Sequence, residues 1–240
     1  MKELIRNILI TLQLPVTKNI HYDILTKKLM KKVLKPTSNC IDIGGFKGEI
    51  TDEVLKFSPN GTHHIFEPIP DFYQAIAKKF KNTTSVHVVN LAVSDQTGKS
   101  TFKYVPDFPA YSGLKKRDYP NNAAEVKEIE VNTDRLENVI PENLKIDFIK
   151  IDVEGAEFLV LSGAKEVIEK HSPVVVFEYG LGASEFYGTT PEMMFSYFGD
   201  LNYGIYLLED FIKNKAPLSN EAFSKQYHEK LNYYFVAVRK

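Results

Sequence analysis

Four short segments hold the residue types that could do chemistry. The densest is Ile149-Lys150-Ile151-Asp152-Val153-Glu154-Gly155-Ala156-Glu157. The apolar run ending at Ile151 reads as a strand, so Asp152 and Glu154 fall just past its carboxyl end. Carboxylates there can hold a cationic group, bind an acceptor or take up its proton. Such a cluster could also hold a divalent cation through oxygen ligands, although no metal site is expected. Glu157 opens the next helix, where a negative side chain complements the helix dipole.

The second segment is Ile41-Asp42-Ile43-Gly44-Gly45-Phe46-Lys47-Gly48. It follows a strand and leads into a helix. In doubly wound sheets, ligands sit outside the carboxyl ends of the strands. Its glycines Gly44, Gly45 and Gly48 do not follow the Gly-x-Gly-x-x-Gly phosphate spacing, and no P-loop Gly-Lys-Ser/Thr follows. That argues for a cofactor without phosphates, such as S-adenosylmethionine. A tight strand–helix turn with no ligand is the bland alternative.

Phe66-Glu67-Pro68 ends the second strand. Glu67 lies 25 positions after Asp42, at a spacing where a carboxylate can accept both ribose hydroxyls. Pro68 stops the strand. The fourth segment, Val89-Asn90-Leu91-Ala92-Val93, ends the third strand. Asn90 and Ala92 there are expected to flank an adenine, the small Ala92 leaving room for a flat ring; ordinary strand packing is the alternative. His63 and His64 are adjacent on a strand, face opposite ways and cannot chelate one ion.

The elements that position these residues alternate. Strands are expected at 39–43, 62–66, 85–93, 146–151 and 173–178. Helices are expected from Gly48 to Phe57 and over 71–81, 156–170 and 190–201. This alternation implies a parallel sheet with helices on both faces. Residues 94–133 break it with two strand-like runs, 101–105 and 126–131, around a polar loop carrying Pro106, Pro109, Gly113 and Pro120. Tyr104, Tyr111, Arg117 and Tyr119 in this insertion either line an acceptor pocket or cover the loop's own apolar surface. Runs 204–208 and 233–238 form an antiparallel terminal pair. Residues 1–38 read as a helical extension with two helices broken near Pro15, and 39–240 as the main domain.

The chain has 240 residues, a hydrophobic fraction of 43%, a charged fraction of 25% and net charge −1. No global positive field draws it to nucleic acid. No run reaches the length of a membrane span, although the row Lys27, Lys31, Lys35 offers a surface for peripheral membrane contact besides its plainer reading as a solvated face. Met1–Leu14 reads as an amphipathic helix rather than a signal peptide. A lone cysteine, Cys40, sits in an apolar run and is expected to be buried; a cytoplasmic location is expected.

These blocks resemble the FkbM family of methyltransferases. Ile41-Asp42-Ile43-Gly44 with Gly48, Phe66-Glu67-Pro68 and Lys150 to Glu157 carry the likeness. Leu161-Ser162-Gly163-Ala164 and Val131 to Leu136 extend it over roughly residues 38 to 180. The resemblance implies a class I methyltransferase, Rossmann-like seven-stranded sheet, S-adenosylmethionine as donor, and a sugar, glycan or natural-product hydroxyl as acceptor. It places Asp42, Gly44, Gly48 and Glu67 against the cofactor, and Asp152 and Glu154 toward the methyl group and acceptor. Asp152 ranks first as base and Glu154 second. One departure stands out: the family has Ala-Asn where this chain has Gly45-Phe46. That motivates a rival reading as a catalytically silent cofactor-binding scaffold. A nicotinamide-dependent oxidoreductase is the other rival, weakened by the missing phosphate fingerprint.

Overall fold

The computed structural model describes residues 9–10, 14–119 and 125–240. After helix α1 (Lys18–Val33) come β1 (Cys40–Ile43), α2 (Glu49–Phe57), β2 (His63–Phe66), α3 (Pro70–Phe80) and β3 (Val86–Val89). A detour follows with β4 (Ala92–Val93), β5 (Gly98–Tyr104), β6 (Lys127–Asp134) and α4 (Leu136–Val139). Alternation resumes with β7 (Phe148–Ile151), α5 (Glu157–Gly163), α6 (Lys165–His171), β8 (Val174–Glu178), α7 (Pro191–Asp200) and β9 (Tyr203–Leu207). Helices α8 (Leu208–Ile212) and α9 (Asn220–His228) precede β10 (Tyr234–Arg239).

The main sheet has seven strands in the order β3-β2-β1-β7-β8-β10-β9. β1 pairs in parallel with β2 and β7. β10 runs antiparallel to both β8 and β9. The expected antiparallel terminal pair is present, with β10 inserted between its neighbours so that β9 forms the edge.

Strand alternation sorts the core onto two faces. Cys40, Phe148, Val176 and Val236 pack against Leu25, Leu29 and Met30 of α1 and Val54 of α2. On the other face, Ile149, Phe177 and Phe235 meet Val160, Ile168, Phe198 and Phe223 from α5, α6, α7 and α9. Period two therefore puts Asp42 and Lys150 on the α1 face, side by side in register.

Two expected elements divide. The strand expected over 85–93 breaks after Val89, because the Asn90 amide donates to the Glu67 and Pro68 carbonyls and turns the chain. Ala92 and Val93 then pair with Thr133 and Asp134 in a separate three-stranded sheet, β4-β6-β5. The helix expected over 156–170 breaks at Ala164. There α5 presses so closely on the preceding loop that a Cβ on Gly163 would lie 1.8 Å from the Ser94 carbonyl oxygen. The short helices α8 and α9 lack a long periodic pattern and were not expected.

The second N-terminal helix is present as α1. The first lies almost wholly outside the described residues, as does Pro120. The lysine row is partly used internally, Lys27 pairing with Glu53; beside the row, Lys32 donates to the Phe211 and Ile212 carbonyls at the end of α8. Among the described residues, no helix is long and apolar enough to cross a membrane.

Candidate active site

A cavity of about 730 Å³ opens over the carboxyl ends of β1, β2 and β7. One end is apolar, walled by Ile69, Leu91, Ala92 and Phe102. Gly44, Gly45, Phe46 and Glu67 border its middle. Lys150, Asp152, Glu154 and Tyr234 border the charged end, and Asp23, Thr26 and Lys27 of α1 reach the same space.

The glycine loop is shaped by the protein's own packing. Gly44 has φ 84, and a Cβ there would lie 1.9 Å from the Asp152 carbonyl oxygen. The N–H groups of Gly44 and Gly45 both donate to the Phe66 carbonyl. Gly48 precedes α2 in a left-handed conformation. Phe46 sits where the family's asparagine is expected, and its ring packs on Phe72 at 4.8 Å.

Glu67 is 4% exposed and ties two loops together. It accepts N–H bonds from Phe46 at 2.8 Å and Ile69 at 2.9 Å. A carboxylate offers about four lone-pair sites, so two acceptor positions remain for ligand hydroxyls. Burial pushes Glu67 up to about 7, against the pull of those two bonds. Asn90 supports this turn from behind through the Glu67 and Pro68 carbonyls, while Pro68 and Ala92 line the cavity.

Asp42 lies in the strand beneath the loop, 3% exposed. Thr51 donates to its Oδ2, and its Oδ1 has no hydrogen-bond partner. Burial pushes it up to about 6, opposed by Lys150 and Thr51.

The charged end is a row set by register. Tyr234 pairs with Glu178, and one residue past the Ile151–Phe177 pair Asp152 stands beside Glu178. Asp152 Oδ2 accepts from Lys150 Nζ at 2.9 Å and from the Tyr234 hydroxyl at 2.5 Å. Burial alone would raise Asp152; Lys150 and Tyr234 outweigh it and hold the group below its ordinary value. Burial and Asp152 push Glu178 well above the carboxyl range, so it carries a proton toward Asp152.

Glu154 lies in the same turn with φ 57 and is paired to Arg117. Burial, then the Asp152 charge, push it up to about 8 despite that partner. Arg117 also donates to the Gly182 carbonyl at 3.2 Å and covers the Tyr111 ring. The insertion thereby docks on the β7–α5 turn. Glu157 does more than meet a helix dipole: it is 1% exposed and accepts from the Val153 and Gly155 N–H groups, closing that turn. His63 bonds the Ser58 carbonyl and His64 stacks on His87, both buried as packing groups. Among the described residues, no group of three or more His, Cys, Asp or Glu is placed to hold a metal ion.

Lys150, Glu178 and Tyr234 were not singled out from sequence as site residues. Lys150 had a signal, as a lone charge inside an apolar strand. So did Glu178, which ends its strand as Asp152 follows β7. Tyr234 had none, because an antiparallel strand brings its first residue to this edge.

A seven-stranded sheet of this order, with the last strand antiparallel and a ligand-sized cavity over β1 and β7, is the class I methyltransferase fold. The model of the methyltransferase FkbM domain matches residues 42–205, and the chain belongs to that family. "Methyltransferase 1" of Beauveria bassiana is 27% identical over 163 residues, covering 60% of this chain and 66% of that protein. The crystal structure of methyltransferase FkbM from Methylobacillus flagellatus KT superposes with a TM-score of 0.54 at 14% identity, over 85% of this chain and 44% of that one. A Streptococcus mutans protein named for methyltransferase activity and solved with SAH gives a TM-score of 0.50 at 10% identity, over 90% and 96%. The chain thus spans just under two thirds of the Beauveria protein and less than half of the Methylobacillus one.

The donor set fits the cofactor of this class. An apolar slot suits a flat ring, and Glu67 and Asp152 supply acceptors for hydroxyls and a cationic group. Buried carboxylates outnumber the buried cations beside them, which suits a ligand that brings positive charge.

Proposed function

We propose that this chain transfers a methyl group from S-adenosylmethionine to a hydroxyl oxygen of a sugar, glycan or natural-product acceptor. The observation that carries this reading is the split between two neighbouring carboxylates at one cavity. Asp152 is held ionised by Lys150 and Tyr234, while Glu154 is pushed up to about 8. A pair of titratable groups driven apart by their surroundings can divide anchoring from proton transfer.

The bound donor supplies a methyl group already activated as a sulfonium. Ionised Asp152 gives that positive charge a counterpart at the cavity wall. Glu67 accepts from the ribose hydroxyls through its two remaining positions. Glu154, ranked behind Asp152 as base on the sequence, takes the proton of the acceptor hydroxyl in its place, since Asp152 is committed to Lys150 and Tyr234 and a base works best with a pKa near the working pH. Arg117 orients Glu154 and closes that side of the site.

The test incubates the protein with isotopically labelled S-adenosylmethionine and panels of glycans and hydroxylated small molecules, read by mass spectrometry. A labelled methyl ether is expected. Saturable donor binding by calorimetry with no transfer to any hydroxyl would favour the silent scaffold, the reading motivated by Phe46. No donor binding by a folded sample would overturn both.

A further inference from the structure

We propose that Tyr234, braced by Tyr22, is a positioning residue for Asp152, so that β10 and α1 complete the active site from outside the family domain. Neither tyrosine lies within residues 42–205. The inference rests on the reading above, in which ionised Asp152 faces the methyl donor.

The geometry runs inward from α1. The Tyr22 ring stacks on Tyr234 at 5.2 Å between centroids, with planes 23° apart. Its edge meets Tyr233 at 4.7 Å. The Tyr22 hydroxyl donates to Asn232 Oδ1 at 3.0 Å, which fixes the ring that fixes Tyr234. Tyr234 then donates to the carboxylate oxygen that Lys150 already serves. Burial keeps the Tyr234 phenol far above its ordinary value, so it remains a donor across the working pH range.

Asp152 needs that second donor because its surroundings are mostly acidic. Asp42 faces it from β1, and Glu154 and Glu157 from the following turn and α5, while Glu178 on β8, protonated, donates to it. Asp23 of α1 adds a further negative charge beside Tyr234. Against these stand Lys150 on β7 and Arg117, which is committed to Glu154. A hydrogen bond to the charged form is one of the few ways left to keep Asp152 ionised.

The test follows the Asp152 carboxyl carbon by NMR in full-length protein labelled with carbon-13 aspartate, assigned through Asp152→Asn. In Tyr234→Phe the ring and its stacking remain and only the hydroxyl is lost. The Asp152 midpoint is expected to rise by about one unit, a roughly tenfold gain in proton affinity. Tyr22→Leu removes the brace but not the donor, and should shift Asp152 the same way by about threefold. It also decides the matter if Tyr234→Phe does not fold. An unmoved Asp152 midpoint in folded variants overturns the inference. Calorimetry of wild-type protein with S-adenosylmethionine is run beside it. Absence of uptake there sinks the proposed function, while the titration still reports on Tyr234 and Asp152.

Discussion

Asp152 and Glu154 are two residues apart and electrostatically opposite. Asp152 keeps its charge because Lys150 and Tyr234 both donate to Oδ2. Glu154 has a single cationic partner and a like charge beside it. If Glu154 is the base, it must be ionised to act, so kcat should climb about tenfold per pH unit below its value near 8 and level off above it. Glu154→Gln should lower kcat by about 10²–10⁴-fold and abolish that rising limb. A variant that keeps the wild-type pH profile would remove Glu154 from the base role. The Asp42–Lys150 pair beneath supplies charge but has no opening to the cavity through Asp42. Its contribution is to the field around Asp152.

At the scale of elements, close backbone approaches hold the site together. Strand β1 enters its loop so near β7 that only glycine fits at position 44. The junction of α5 with the β3–β4 detour depends on Gly163 in the same way. Gly163→Ala should destabilise the protein by about 2–4 kcal/mol, since backbone rather than a movable side chain stands in the way. Gly199 in α7 is the contrast: it is exposed, and nothing lies within 4 Å of an added Cβ. Gly199→Ala should add about 0.5–1 kcal/mol by lowering the entropy of the unfolded chain. Urea unfolding of both variants checks the pair, and equal effects would refute the packing argument.

Across the whole molecule, the buried carboxylates make ligand-free stability depend on pH. Asp42, Glu67, Glu154 and Glu157 are pushed up to about 6, 7, 8 and 7. A carboxyl raised in this way contributes stability that is complete below its unfolded value near ~4. That contribution is lost as pH rises through the folded value. Asp152 has the opposite sign, and its share is lost only as pH falls through its depressed value. With Glu178, pushed higher still, these raised carboxyls outweigh His63 and His64, which burial holds below their ordinary value and which act in the opposite direction, and they predict a Tm that is higher at pH 6 than at pH 8.5. Each ~1 kcal/mol lost corresponds to roughly 2–4 °C in a chain of this size. Scanning calorimetry of ligand-free protein checks this, and a Tm that rises over the interval would contradict it.

Local pattern alone determined much of this protein. Period-two and period-3.6 hydrophobicity marked most strands and helices of the main sheet, and turn residues marked the ends where Asp42, Glu67, Asp152 and Glu154 had to sit. The resemblance of those blocks then pointed to the family. Tertiary structure alone decided the rest. The break after Val89 depends on an Asn90 amide meeting carbonyls over twenty residues away in sequence, and the break at Ala164 on the approach of α5 to Ser94. Tyr234 reaches Asp152 only because β10 inserts antiparallel beside β8, which puts its first residue at the edge where the parallel strands end. Hydrophobic periodicity encodes which side of an element is buried. It carries no information about which strand lies next to which, and that adjacency fixes the partners of a buried charge.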